Sequence, residues 1–540
     1  MKSLMKKVFA AAAAIATVFG LAATTVATAN AADGATLTVS TADAKFVGKT
    51  VNAYKMFSAT VGGEGANKAV SYTLTDTWKP FFMDSTASGL NGATDANVND
   101  KANEYVSELA GDNLVAFATK ASNWAQTKTN SITADATAMV SADATNGSYT
   151  ATFTDLDYGY YVVAVPGATL ANTSGQYATL VSVDSTNVNA NIKGSLPTVD
   201  KKVQVNGNGA DTADAKIGDT LTFTLTSTIP DMSAYDTYTF NFKDTLSKGL
   251  TYGDITSVTV EGVDAPLVKD TDYTVTTTPA AAGNTLLTVG MTDFKNKQQT
   301  NAGKKITVTY TATLNENAVV GGAGNTNSAK IQYSNNPSTN ETGESEPSKV
   351  RVFTYGFTVD KYTGDEYTDK ARRLAGAEFT LAPKNDTDST AISFVQVSAG
   401  DGTTNAVYRV AKTGEEGATT TIITPASGKV VFQGLKNGEY TLTETKAPAG
   451  YNKLASAIGV KVNGSNDGTD TTNATVNITY NNDNNDTTYD QTASNGVIPV
   501  QNKSGAILPG TGGMGTIAFT VIGVLVIALG VAWTLKRKNA

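Results

Sequence analysis

Tyr440-Thr441-Leu442-Thr443-Glu444-Thr445-Lys446-Ala447-Pro448-Ala449-Gly450-Tyr451 is the stretch on which the fold turns. It begins as a strand, apolar residues alternating with Thr, and stops at a turn signalled by Pro448 and Gly450. Residues two apart in a strand share a face, so Tyr440, Leu442 and Glu444 point the same way. Two of the three are apolar, which aims a carboxylate at the core. That is costly unless the group is neutral or partnered.

A partner exists upstream. In Phe357-Thr358-Val359-Asp360-Lys361, Lys361 shares a face with Phe357 and Val359. Burial disfavours the charged form of a lysine, and the neutral amine is a nucleophile. Downstream, Gly496-Val497-Ile498-Pro499-Val500-Gln501-Asn502 reads as a closing strand. With Asn502 beside it, the Lys361 amine can attack the side-chain amide carbon and expel ammonia. Glu444, kept protonated by burial, would polarise the amide and shuttle protons. The stretch Tyr440 to Tyr451 resembles the E-box of sortase-assembled pilins and matches its YxLxETxAPxGY pattern throughout. The region 351–507 resembles the collagen-adhesin B-type domain, which also implies a Lys–Asn isopeptide bond within it. An Asn-rich stretch, 463–486, is expected to form a loop around a short strand at 474–480.

The region 193–350 carries short alternating runs at 220–225, 237–242, 257–260 and 305–310 with turn residues between, which argues an immunoglobulin-like sandwich. In Val199-Asp200-Lys201-Lys202-Val203, alternation sets Lys201 with the valines and Lys202 opposite. Phe240, Phe242 and Asp244 share one face, as do Asn327, Ala329, Ile331 and Tyr333. This region resembles the collagen-adhesin A-type domain, where an Asp replaces the catalytic Glu. The resemblance implies Lys201 joined to Asn327 with Asp244 as the acid. The alternative is a surface lysine and a turn asparagine.

The region 32–192 opens with strands at 35–39 and 50–57 and returns to strands at 149–153 and 159–165. Between them Val98, Ala102, Tyr105 and Leu109, then Leu114, Phe117 and Ala121, recur at helical spacing. A β-sandwich with a helical insertion is expected, with Trp78 and Trp124 scattered in it. There is no E-box here; the glutamates are Glu64 in a Gly-rich turn and Glu104 and Glu108 in the helical stretch, so no internal cross-link is expected. The boundary that follows, Asn189-Ala190-Asn191-Ile192-Lys193-Gly194-Ser195-Leu196-Pro197, is polar with Gly and Pro close together. Backbone pilins carry here a motif ending in V-Y-P-K, whose Lys accepts the Thr of the preceding subunit. Asn191-Ile192-Lys193 stands where Tyr-Pro-Lys is usual. The likeness rests on position and on the Leu-Pro-Thr-Val-Asp-Lys that follows, and implies Lys193 as acceptor, with Lys201 and Lys202 as rivals.

The two ends of the chain agree with export. Residues 1–31 read as a signal peptide: a basic start, an apolar run and a cleavage site at Ala29-Asn30-Ala31. Residues 508–540 hold Leu508-Pro509-Gly510-Thr511-Gly512, an apolar span at 514–535 and Lys536-Arg537-Lys538. The span reaches the roughly 20 residues a membrane helix needs, and its basic flank belongs on the cytoplasmic side. The three parts resemble the cell-wall sorting signal of Gram-positive surface proteins. There a sortase cleaves between the Thr and the Gly, here Thr511 and Gly512, and joins the Thr carbonyl to an amine.

Composition closes several routes. With no Cys and no His, the chain has no disulfide, no Cys nucleophile, no Ser-His-Asp triad and no His-ligated metal. Its 41 basic against 49 acidic side chains form no basic patch for nucleic acid. No metal or cofactor is expected. The expected fold is mainly β: tandem immunoglobulin-like sandwiches of collagen-adhesin A and B type, a helical insertion in the first, and a C-terminal transmembrane helix in the precursor. The expected function is the major (backbone) subunit of a Gram-positive pilus, a secreted, wall-anchored surface fimbria. A pilin-specific sortase would join Thr511 to Lys193 of the next subunit, and a housekeeping sortase would fix the base to peptidoglycan. A minor or tip pilin and a host or carbohydrate receptor are the further partners. The chain would catalyse only its own cross-linking. The rival is a monomeric peptidoglycan-anchored adhesin, which has no use for Lys193; a wall-anchored hydrolase lacks a recognisable paired-carboxylate cleft.

Overall fold

The computed structural model describes residues 34–505, apart from short stretches at 64–67, 128, 131, 144–147, 170–177, 369–370, 385–389, 466–467, 469–472 and 483–487, together with Ile527, Leu529 and Trp533. The expected signal peptide, the motif 508–512 and the rest of the apolar span lie outside the described residues. Among the described residues no helix is long and apolar enough to cross a membrane. The chain is mainly β and divides into two compact units. One runs to Tyr355 and takes in the short segments 434–436 and 464–475; the other holds the remainder from Gly356 on.

The first unit opens with a sandwich. Its smaller sheet pairs Ala35–Thr41 antiparallel with Tyr149–Leu156 and parallel with Asn187–Asn191, the last strand of this region. The larger sheet runs Ala69–Leu74, Thr50–Gly62, Gly159–Ala164, Ala178–Val183. Between Ala69–Leu74 and Ala136–Met139 the described residues make four α-helices, including Val98–Glu108 and Gly111–Gln126. The strand Gly159–Ala164 is buried at every position because it serves two cores. Tyr161 and Val163 face the sandwich interior; Tyr160 and Val162 face the helices. A continuous apolar run is what a strand covered on both sides requires. Trp78 and Trp124, read from sequence as scattered, are instead neighbours, ring centroids 5.4 Å apart, and Phe81 lies 5.4 Å from both. They form the aromatic centre of the helical insertion, brought together by helix packing that residue spacing does not reveal.

A second sandwich follows in the same unit. One sheet runs Asn208–Ala210, Asp200–Val205, Thr220–Thr228, Lys305–Leu314, Leu250–Val260. The other runs Thr212–Asp214, Ser348–Phe353, Asn325–Ser334, Phe240–Leu246, Thr285–Met291, Tyr273–Pro279. Thr220–Thr228 and Lys305–Leu314 alternate strictly between buried and half-exposed, one face on the core. Two boundaries differ from the sequence reading. The strand expected at 237–242 starts at Phe240, and that at 257–260 is the end of a longer strand from Leu250, whose register shifts twice and interrupts the alternation.

The second unit holds a third pair of sheets. In one, Tyr355–Thr363 lies next to Lys429–Leu435 and pairs in parallel with Val497–Gln501, so the first and last strands are neighbours. The other is centred on Glu378–Pro383, Gly438–Lys446 and Ile458–Ser465. The Asn-rich stretch carries a strand at Thr475–Asn481.

Candidate functional site

In the second unit, strand alternation puts Tyr440, Leu442 and Glu444 on the buried face. Lys361 ends the buried face of its own strand, and Val500 is its parallel partner, so Asn502 emerges just past the point where Lys361 sits. Lys361 Nζ lies 3.0 Å from Glu444 Oε1, and neither side chain is exposed. Asn502 Nδ2 donates to Glu444 Oε2 at 3.0 Å and to the Asn452 carbonyl at 2.8 Å. One carboxyl group therefore touches the amine with one oxygen and the amide nitrogen with the other. Burial pulls the Lys361 amine down to about 8, against the opposing pull of Glu444.

The turn after Glu444 explains its own residues. Tyr451 N closes the turn on the Pro448 carbonyl, and Gly450 takes a positive φ of 86° that suits glycine. The chain doubles back so that Leu454 N donates to Glu444 Oε2 at 2.8 Å and Asn452 N to the Lys503 carbonyl. Arg372 donates to the Tyr451 hydroxyl. The turn thus delivers two backbone groups to the carboxyl and the amide.

In the middle sandwich Lys201 and Asp244 come from facing sheets and meet at 2.5 Å with both side chains fully buried. Burial lowers the Lys201 pKa, and Asp244 opposes the shift. Asn327 is buried on the strand beside Asp244 but hydrogen-bonds a different group. Its Nδ2 donates to the Tyr310 hydroxyl at 2.7 Å. That hydroxyl also accepts from Lys201 Nζ at 2.9 Å and donates to Asp244 Oδ2 at 2.5 Å. Tyr310 is fully buried, and burial next to Asp244 holds its pKa well above the usual phenol value. Sequence reasoning missed it because Ile306, Val308 and Tyr310 alternate like any core stripe. It missed Asp360 for the opposite reason: alternation puts it outward, yet it is fully buried against Arg373 Nε at 2.7 Å and the Tyr367 hydroxyl at 2.8 Å.

Lys193 lies just past Asn187–Asn191 and is exposed. Backbone bonds hold its stretch on both sides, Ile192 N to Ser40 O and the Thr169–Ser195 bridge. The rivals differ: Lys201 is sealed in the core, and Lys202 pairs with Asp211 at 2.7 Å. Among the described residues no group of His, Cys, Asp or Glu could hold a metal ion.

These features define tandem β-sandwich modules, two of which bury a lysine, a carboxylate and an asparagine together. Residues 217–337 match the family model described as Gram-positive pilin backbone subunit 2, Cna-B-like domain, and residues 363–478 match one described as a prealbumin-like fold domain. The chain is similar to Gram-positive backbone pilins. It is 26% identical over 276 residues to the trypsin-resistant surface T6 protein of Streptococcus pyogenes serotype M6. That match covers 48% of this chain and 44% of the relative, so the chain spans less than half of the curated relative's length. Among solved structures, the T6 backbone pilin of the same serotype is 17% identical, covering 88% of this chain and 99% of that one, with a TM-score of 0.45. The full-length major pilin SpaD from Corynebacterium diphtheriae is 20% identical, covering 87% and 98%, with a TM-score of 0.42.

Proposed function

We propose that this chain is the structural backbone subunit of a covalently polymerised Gram-positive surface pilus. The observation that carries the reading is the buried meeting of Lys361, Glu444 and Asn502. In this reading the neutral Lys361 amine attacks Asn502 Cγ, forming the C–N bond. Glu444 takes a proton from Lys361 Nζ through Oε1 and returns one through Oε2 to the departing Nδ2. Ammonia leaves, and an amide joins the first strand of the region 351–507 to its end. Lys201, Asp244 and Asn327 form the corresponding set in the region 193–350. The chain acts once on itself and turns over no substrate.

Polymerisation would use Thr511 of one subunit and Lys193 of the next, joined by a pilin-specific sortase. A housekeeping sortase would attach the base to peptidoglycan, and a tip pilin or the shaft would meet a host or carbohydrate receptor. Three features support this part: the ordered sorting signal at 508–540, the exposed, backbone-anchored Lys193, and the engagement of both rival lysines. The division into 1–31, 32–192, 193–350, 351–507 and 508–540 belongs to the same proposal.

An immunoblot of cell-wall extracts boiled in detergent tests it, comparing cells that make the native chain or Lys193→Ala. A ladder of high-mass species that collapses to monomer in the variant is expected. A surviving ladder would move the acceptor to another lysine. No ladder in either strain would leave the monomeric adhesin as the reading.

A further inference from the structure

We infer that Tyr310 is a catalytic residue of the middle sandwich, relaying the proton between Asp244 and Asn327 during cross-linking. This rests on the reading of Lys201 and Asn327 as bond partners. The argument is geometric. Asp244 touches the attacking amine at 2.5 Å, but Asn327 Nδ2 donates to the Tyr310 hydroxyl and not to the carboxyl. Asp244 Oδ1 and Asn327 Oδ1 make no hydrogen bond among the described residues. The Tyr310 hydroxyl is within hydrogen-bond distance of all three groups: 2.9 Å from Lys201 Nζ, 2.5 Å from Asp244 Oδ2 and 2.7 Å from Asn327 Nδ2.

The proton path then balances. Lys201 Nζ attacks Asn327 Cγ and gives its proton to Asp244. As the Cγ–Nδ2 bond breaks, Tyr310 gives its hydroxyl proton to Nδ2 and takes the proton that Asp244 gained. Ammonia departs, and Asp244 and Tyr310 return to their starting states. The phenol suits this task because burial keeps it protonated until its neighbour can replace the proton.

The ring also packs, stacking on Phe223 at 5.4 Å, so the test must separate chemistry from packing. Tyr310→Phe keeps the ring and deletes the hydroxyl. In the mature full-length chain, peptide mapping by mass spectrometry reads each cross-link as a joined peptide lighter by one ammonia. The Lys201–Asn327 link should form about 10²–10⁴-fold more slowly in Tyr310→Phe, as expected for losing one acid–base group. It should be largely absent at harvest and grow in over time, while the Lys361–Asn502 link is complete. The variant should melt with Asn327→Ala, which cannot form that link. Full cross-linking of Tyr310→Phe at harvest would overturn the relay alone. Unfolding well below Asn327→Ala would assign Tyr310 to packing and overturn it too. No Lys201–Asn327 link in the native chain would overturn the underlying reading along with the relay.

Discussion

The two buried lysine sites reach one arrangement with different parts. At the C-terminal site a glutamate touches both the amine and the amide nitrogen, one oxygen to each. At the middle site the acid is an aspartate, one methylene shorter, which holds the amine while a tyrosine hydroxyl reaches the amide. Side-chain length accounts for the exchange: what one glutamate spans takes an aspartate and a phenol together. The backbone adapts as well. The C-terminal carboxyl accepts from Leu454 N, delivered by the turn after Glu444, whereas Asp244 sits mid-strand between two paired strands.

The sharpest way to break the comparison is to remove each acid. Glu444→Ala should stop the C-terminal cross-link outright. The loss should combine on the order of 5 kcal/mol of loop closure with about 3–5 kcal/mol for a buried lysine left unpaired. Asp244→Ala should slow its own link strongly but leave Tyr310 beside both nitrogens, so a slow residual reaction is expected there and not at Glu444→Ala. Thermal unfolding and peptide mapping read both. Equal residual cross-linking in the two variants would erase the distinction.

A smaller effect concerns pH. In Asn502→Ala the C-terminal link cannot form, so Lys361 remains an amine with a pKa of about 8 when folded, against an ordinary 10.5. Between those values the unfolded chain binds more protons, so stability should rise with pH from about 8 to 10.5 and carry the full burial cost below about 8. A native chain cross-linked as proposed would have an amide there and should lack this rise. Denaturant midpoints across the window, variant against native, give the answer; parallel curves would mean that Lys361 does not lose its proton on burial. The smallest effect expected is that of Lys202→Ala. Its partly exposed pair with Asp211 is worth within about 1 kcal/mol, and neither cross-link should change. A lost Lys201–Asn327 link in that variant would show that the neighbour, and not burial, sets the reactivity of Lys201.

How much of this could be read from the chain alone depends on how local the signal was. Glu444, Lys361, Lys201 and Asp244 stand out because each interrupts an apolar strand face, a rule that needs only period two. That Asn502 meets Glu444 follows from a parallel pairing across the whole region, which no local pattern encodes. Tyr310 hides because an aromatic in the middle of an apolar face looks like core, and its hydroxyl matters only once three other strands are placed. Asp360 was missed and the Trp78–Trp124 pair misread for the same reason: cover came from elements distant in sequence. The strand Gly159–Ala164 was legible as a strand, but its second core was not.

The pairing of end strands has a mechanical meaning. Ala35–Thr41 with Asn187–Asn191, and Tyr355–Thr363 with Val497–Gln501, are parallel neighbours that open and close their regions. Where two such strands run the same way, a pull on the chain's two ends draws them past each other along their length. Every rung of an evenly spaced parallel ladder is then loaded at once, not peeled from one end. The first sandwich, with no buried lysine–carboxylate pair among its described residues, still meets tension in shear.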